Sequence, residues 1–153
     1  MTKYSVVFKL KELYEIGIVF RGFVVVHHHL KFMDKGNPMG GPERDLRGAF
    51  VSAISSFVET AFSNTSLEYL ESGAVLFIFK MSEVQSMDSN MREPIILYGL
   101  VKKPKKNPDK LVKKFFEIVT PILELFIQKY NGKDFCELTQ FEPFKDEIND
   151  FFV

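Results

Sequence analysis

The sequence predicts an α+β sandwich in which helices cover both faces of a five-stranded, mixed or antiparallel sheet. Three observations lead there. The elements fall in the order β-β-α-β-β-β-α-α, without the strand–helix–strand alternation that builds a parallel sheet. Two stretches, AVLFIFKM (74–81) and IILYGLV (95–101), are almost wholly apolar, as strands covered on both faces are. Two long apolar stripes at helical spacing, within 42–63 and 108–130, supply the two covers.

The elements follow from the residues in order. Residues 4–11 alternate weakly and read as a strand or an irregular lead-in. Over 14–21, Tyr14, Ile16, Ile18 and Phe20 share one strand face. Gly22 is the natural hairpin turn into FVVVHHHLKF, where Val24, Val26, His28, Leu30 and Phe32 share one face. Phe23, Val25, His27, His29 and Lys31 share the other. Residues 33–41, MDKGNPMGG, read as a loop. Pro42 then suits a first helical position, and Glu43 and Asp45 suit the positive end of the helix dipole. Leu46, Phe50, Ala53, Ile54, Phe57, Ala61 and Phe62 form that helix's stripe. Residues 66–71 (SLEYLE) alternate as a third strand, and Ser72-Gly73 turns into the fourth. Ser82 to Glu93 reads as a 12-residue polar, mobile loop. Pro94 opens the fifth strand. Asn107 and Pro108 start a helix whose stripe runs from Leu111 to Tyr130, and Asn131-Gly132 ends it. Pro121 removes the backbone bond to Glu117 and predicts a kink. A short helix after Pro143 docks through Phe144, Ile148, Phe151 and Phe152.

Composition bounds the function. A chain of 153 residues is one domain, with 1–13 as an N-terminal extension. Seventeen Phe and no Trp call for an aromatic core. Twenty basic side chains balance twenty acidic ones, which argues against a dedicated nucleic-acid binder. One cysteine, Cys136, excludes an intrachain disulfide and fits a reducing, cytoplasmic setting. Charges at positions 3, 9, 11 and 12 interrupt any signal-type apolar run.

The hairpin IGIVFRGFVVVHH, the helix DLRGAFVSAISSFVETAF, the strand VLFIFK and the segments FFEIVTPILELFIQKYNGKDF and FEPFKDEINDFF together resemble the longin fold. The likeness extends to longin-like and roadblock-like proteins abundant in archaea related to eukaryotes, and it spans roughly 14–153. It implies a non-enzymatic platform that dimerises, or docks a small GTPase, another longin or roadblock protein, or a vesicle-trafficking complex. Some longins precede a SNARE helix; ending at Val153, this sequence fits a stand-alone module instead. The resemblance carries no cofactor.

Candidate sites are few. His27 and His29 point the same way on a strand, ~7 Å apart, and could share a metal if a neighbouring strand gave a third ligand. Structural histidines are the default, and neither HExxH nor CxxC is present. MDKGNPMGG lacks GxxxxGK[ST], so it is no phosphate loop. Ser52, Ser55 and Ser56 sit on no GxSxG elbow, and Cys136 alone makes no nucleophile argument. For partner binding the sequence points to the edge strand, through Leu67 and Tyr69. It also points to Lys102, Lys103, Lys105 and Lys106, which can steer the domain toward an acidic partner. On an anionic membrane each Lys would contribute about 1 kcal/mol of weak peripheral contact. The alternative function is a small-molecule sensor of the PAS or profilin-like kind, which needs a cavity under the Phe-rich helices.

Overall fold

The computed structural model describes residues 13–29, 69–72 and 75–152. These form five strands: β1 (Leu13–Phe20), β2 (Phe23–His29), β3 (Tyr69–Ser72), β4 (Val75–Gln85) and β5 (Arg92–Lys102). Two helices follow, α1 (Asp109–Tyr130) and α2 (Phe144–Phe152), with a 3₁₀ turn at Leu138–Phe141 between them. The strands make one sheet in the order β2-β1-β5-β4-β3, and every neighbouring pair is antiparallel. The fold is therefore α+β, and of the two sheet types expected the antiparallel one is present. The strand at 4–11, the loop at 33–41 and the helix at 42–63 lie outside the described residues.

Period-two alternation sorts the strands onto two faces. On the first, Ile16, Ile18 and Phe20 of β1 join Leu76 and Ile78 of β4 and Ile95, Leu97 and Val101 of β5. Against them α1 lays Val112, Phe115, Ile118, Val119, Ile122 and Phe126, its stripe at three- and four-residue spacing. The second face carries Val19, Phe77, Phe79, Ile96, Tyr98 and Leu100, all buried. No described helix contributes to this second cluster. Both sides of β4 and β5 are thus out of water, as their continuous apolar runs require.

Two bulges alter the faces expected for β1 and β2. The β1–β5 register slips between Leu13 and Glu15, so Tyr14 packs on the second cluster and not beside Ile16. The β1–β2 register slips at Ile18/Val19: Val26 pairs with Ile18 and Val24 with Val19, leaving Val25 as the extra residue. Val24 therefore joins the second face while Val26 stays on the first. A bulge inserts one residue on one strand only, and alternation read along a single strand does not reveal it.

The loop expected over Ser82–Glu93 is shorter than its polar composition suggests. The β4–β5 ladder continues to Gln85↔Arg92, leaving six residues, 86–91. Val84 is fully buried and anchors this extension. Backbone bonds then fasten the loop to the end of α1: Gly132 N donates to Gln85 O at 2.6 Å and Met87 N to Lys133 O at 2.8 Å. Pro94 lies within β5 but beyond Ile95, the last residue paired to β1, so its missing N–H costs no bond to that neighbour.

Helix α1 starts one residue later than Pro108 would place it, and Asn107 Oδ1 accepts from Asp109 N at 2.8 Å. It runs through Pro121 as one continuous helix. Beyond it, Phe126, Tyr130, Phe135, Phe141 and Phe144 stack into one aromatic cluster with centroids 4.7–6.3 Å apart. Tyr130 Oη donates to Gln140 O at 2.9 Å, closing the turn over that cluster. Lys129 pairs with Glu147 and joins α1 to α2.

Candidate functional site

Two places on this frame concentrate side chains that could do more than pack. One is the end of the sheet formed by the β1–β2 turn, the 86–91 loop and the segment after α1. The other is a buried polar cluster on the second face.

The first is built on Arg21. Arg21 and Gly22 both have positive φ, 51° and 86°, as a two-residue hairpin turn matched to strand twist requires. Glycine adopts this freely and arginine does not. The guanidinium reaches two carboxylates from the other hairpin. Nε donates to Glu93 Oε1 at 2.7 Å, and the two Nη atoms donate to Asp88 at 3.0 and 3.2 Å. Those bonds hold the Asp88 carboxyl down at about 2 and lower Glu93 as well. The same guanidinium lies 4.9 Å from the Phe20 ring centroid.

Beside it opens an apolar groove of about 270 Å³, lined by Phe20, Arg21, Phe23, Val25, Phe135, Cys136 and Leu138. Phe20 and Phe135 meet there at 4.5 Å between centroids. Phe23 is 68% exposed and Leu138 50%. Met87 and Met91, on the loop that Arg21 holds through Asp88, are 67% and 72% exposed. All four large, exposed apolar side chains found among the described residues thus sit at this one end.

The second cluster centres on Glu15, which is 1% exposed. Tyr98 Oη donates to Glu15 Oε2 at 2.5 Å, and His27 Nε2 lies 2.9 Å from the same oxygen. Gly17 makes this possible: it pairs with both Tyr98 and His27, and a Cβ there would overlap the Tyr98 ring. Tyr98 therefore leans across β1 to reach Glu15.

The sequence-derived candidates divide between these surroundings and others. On the neighbouring strand Glu15 meets His27 at 2.9 Å and stands opposite His29 in the ladder. Among the described residues no group of three or more His, Cys, Asp or Glu could hold a metal ion. Leu67 lies outside the described residues. Tyr69, on β3, donates to Asp109 Oδ1 at 3.3 Å and clips β3 to the start of α1, and Lys103, just after β5, pairs with Glu71 of β3 at 2.8 Å. Lys102, Lys105 and Lys106 are exposed at that end, opposite the groove. Sequence reasoning missed the groove residues: Phe23 is placed there only on a strand face with Val25, His27, His29 and Lys31, and Leu138 is not singled out. The clue was Phe23 beside a turn, where one large apolar residue has little sheet to lie on. No described helix is long and apolar enough to cross a membrane. The chain matches no family model and no curated protein.

Proposed function

We propose that this chain is a non-enzymatic interaction module of the longin-like kind, docking a protein partner and working in the cytoplasm. The observation that carries the reading is the gathering of Phe23, Met87, Met91 and Leu138 at one end of the sheet around an apolar groove. Exposed apolar surface concentrated in this way is characteristic of protein contact sites. The longin-like reading draws support from the described succession: two strands, then three, then two helices. It further proposes that the stripe at 42–63 covers the buried second face, giving helices on both sides. A small GTPase, another longin or roadblock protein, a trafficking-type complex or a second copy is the expected class of partner. The exposed Lys102, Lys105 and Lys106 leave weak contact with anionic membranes as a subsidiary proposal.

The sensor reading has one observation to draw on, the same groove. Its volume of about 270 Å³ falls just below the ~300–1,000 Å³ usual for small-molecule pockets, and it opens at the surface. A side chain presented by a partner suits that space better than a free ligand.

Light scattering on a size-exclusion column and pull-downs against nucleotide-loaded small GTPases test the proposal. A dimer, or GTPase capture, is the expected result. A strict monomer that captures none of them would overturn it.

A further inference from the structure

The groove is apolar, but its surroundings are not electrically neutral. The segment that forms one wall, Lys133 to Phe152, carries six carboxylates against two lysines. Among the described residues, three of the cations near this end are engaged, while Lys133 is exposed beside Asp134. Arg21 is held by Asp88 and Glu93, Lys145 pairs with Glu142 at 3.2 Å, and Lys129 of α1 pairs with Glu147. Asp134 and Glu137, beside the lining residues Phe135, Cys136 and Leu138, are held by neutral donors: Cys136 N on Asp134, and Thr139 N and Oγ1 on Glu137. Both are exposed. Among the described residues around the groove, Asp88, Glu93, Asp134 and Glu137 outnumber Arg21 and Lys133, so the rim is net negative.

We propose that this end of the sheet docks a segment of another protein that presents one or two large apolar side chains flanked by Lys or Arg. The inference deepens the interaction-module reading and rests on it. The apolar side chains enter between Phe23 and Leu138 over the Phe20–Phe135 floor, and the basic groups meet Asp134 and Glu137. Burial supplies affinity, and the acidic rim supplies orientation and speed of encounter. An anionic membrane would face the same carboxylates with like charge. A second copy docking through this same face would bring a second acidic wall against the first.

Two fluorescent amphipathic helical peptides of about 18 residues test this. They share one apolar face of Leu and Phe; one has Lys on its polar face and the other Glu. Fluorescence anisotropy is read with the full chain and with the Phe23→Ser/Leu138→Ser variant. Both substituted residues are exposed, so circular dichroism and the urea midpoint should be unchanged. The Lys peptide is expected to bind. Affinity should fall about tenfold or more for the Glu peptide, and equally for the variant. It should also weaken as salt rises. Equal binding of the two peptides would overturn the basic partner, and unchanged binding by the variant would overturn the groove. So would binding of neither peptide. A dimer lost on Phe23→Ser/Leu138→Ser would assign the face to a second copy. Variant-sensitive sedimentation with anionic vesicles would assign it to lipid. If a small GTPase is still captured by the variant while no peptide binds, this inference fails and the module reading stands.

Discussion

The two carboxylate clusters of this molecule use similar groups to opposite effect. At the hairpin end, Asp88 and Glu93 grip Arg21 in the open; all three side chains are at least a quarter exposed. On the second face, Glu15 is gripped by Tyr98 and lies against His27 with almost no access to water. In the exposed cluster the Asp88 carboxyl is pulled down to about 2, yet solvent screens such pairs and their net worth is small. In the buried cluster water is excluded, so each hydrogen bond lost leaves a desolvated group. One holds a surface in place; the other holds the sheet together.

Glu15→Ala should be the most damaging change. It leaves Tyr98 Oη and His27 facing the gap, and we expect a loss of about 3 kcal/mol or more from the urea unfolding free energy. Tyr98→Phe keeps the ring over Gly17 and removes only the donor to Glu15. It should cost about 1–3 kcal/mol. Equal losses for the two would mean that the carboxylate matters only through Tyr98.

Next to His27, His28 faces the other way, toward α2. Burial lowers its pKa, offset in part by a hydrogen bond with Asn149. Lys145 and Asp146 of α2 and the adjacent His27 are the ionisable groups beside it. A folded-state pKa below the unfolded value of ~6.5 means that the unfolded chain binds the proton more readily. The contribution is full above ~6.5 and is lost as pH falls through the folded value. Urea midpoints measured at pH 7.5 and 5.5 should therefore converge in His28→Phe relative to the native chain. A pH dependence unchanged by that substitution would place the titration elsewhere.

Much of this frame was readable from sequence, and the losses have physical causes. The apolar runs in β4 and β5 announced a sheet buried on both faces, and Asn107, Pro108 and Asn131-Gly132 marked the ends of α1. Long, strongly periodic segments carry their own evidence. What failed was one-strand reasoning about paired strands. The bulges at Leu13/Glu15 and Ile18/Val19 exist only relative to a partner, so the faces of Tyr14 and Val24 could not be seen along the chain. Ser82–Gln85 looked like loop because polar residues on an extended ladder resemble polar residues in a turn; Val84 was the only apolar clue. The candidate groove was least legible. Phe23 and Leu138 are the residue types that a core wants, and only their neighbours in space leave them exposed. Glu15 was visible as one charge in YEIGIVF, and a lone carboxylate in a buried strand already demands a partner from the next strand.

The smallest expected effects come from Arg21, and they sharpen the contrast most. Arg21→Ala removes both ion pairs, yet the urea midpoint should move less than in Tyr98→Phe, because the cluster is solvated. Its signature is electrostatic. With the guanidinium gone, the Asp88 carboxyl should rise from about 2 toward its ordinary value of 3.8, read by NMR titration. A depressed carboxylate stabilises the fold above the unfolded value and loses that contribution as pH falls toward 2. Acid unfolding of Arg21→Ala should therefore show less dependence on pH in that window. Arg21→Gly removes the same charge but also relieves a residue held at φ 51°. It should be about 1 kcal/mol more stable than Arg21→Ala. The turn tolerates arginine at a conformational cost that its ion pairs, in water, barely offset. If Arg21→Gly stabilises the chain yet weakens partner binding, the arginine is kept for the loop it positions, and Met87 and Met91 ride on that loop.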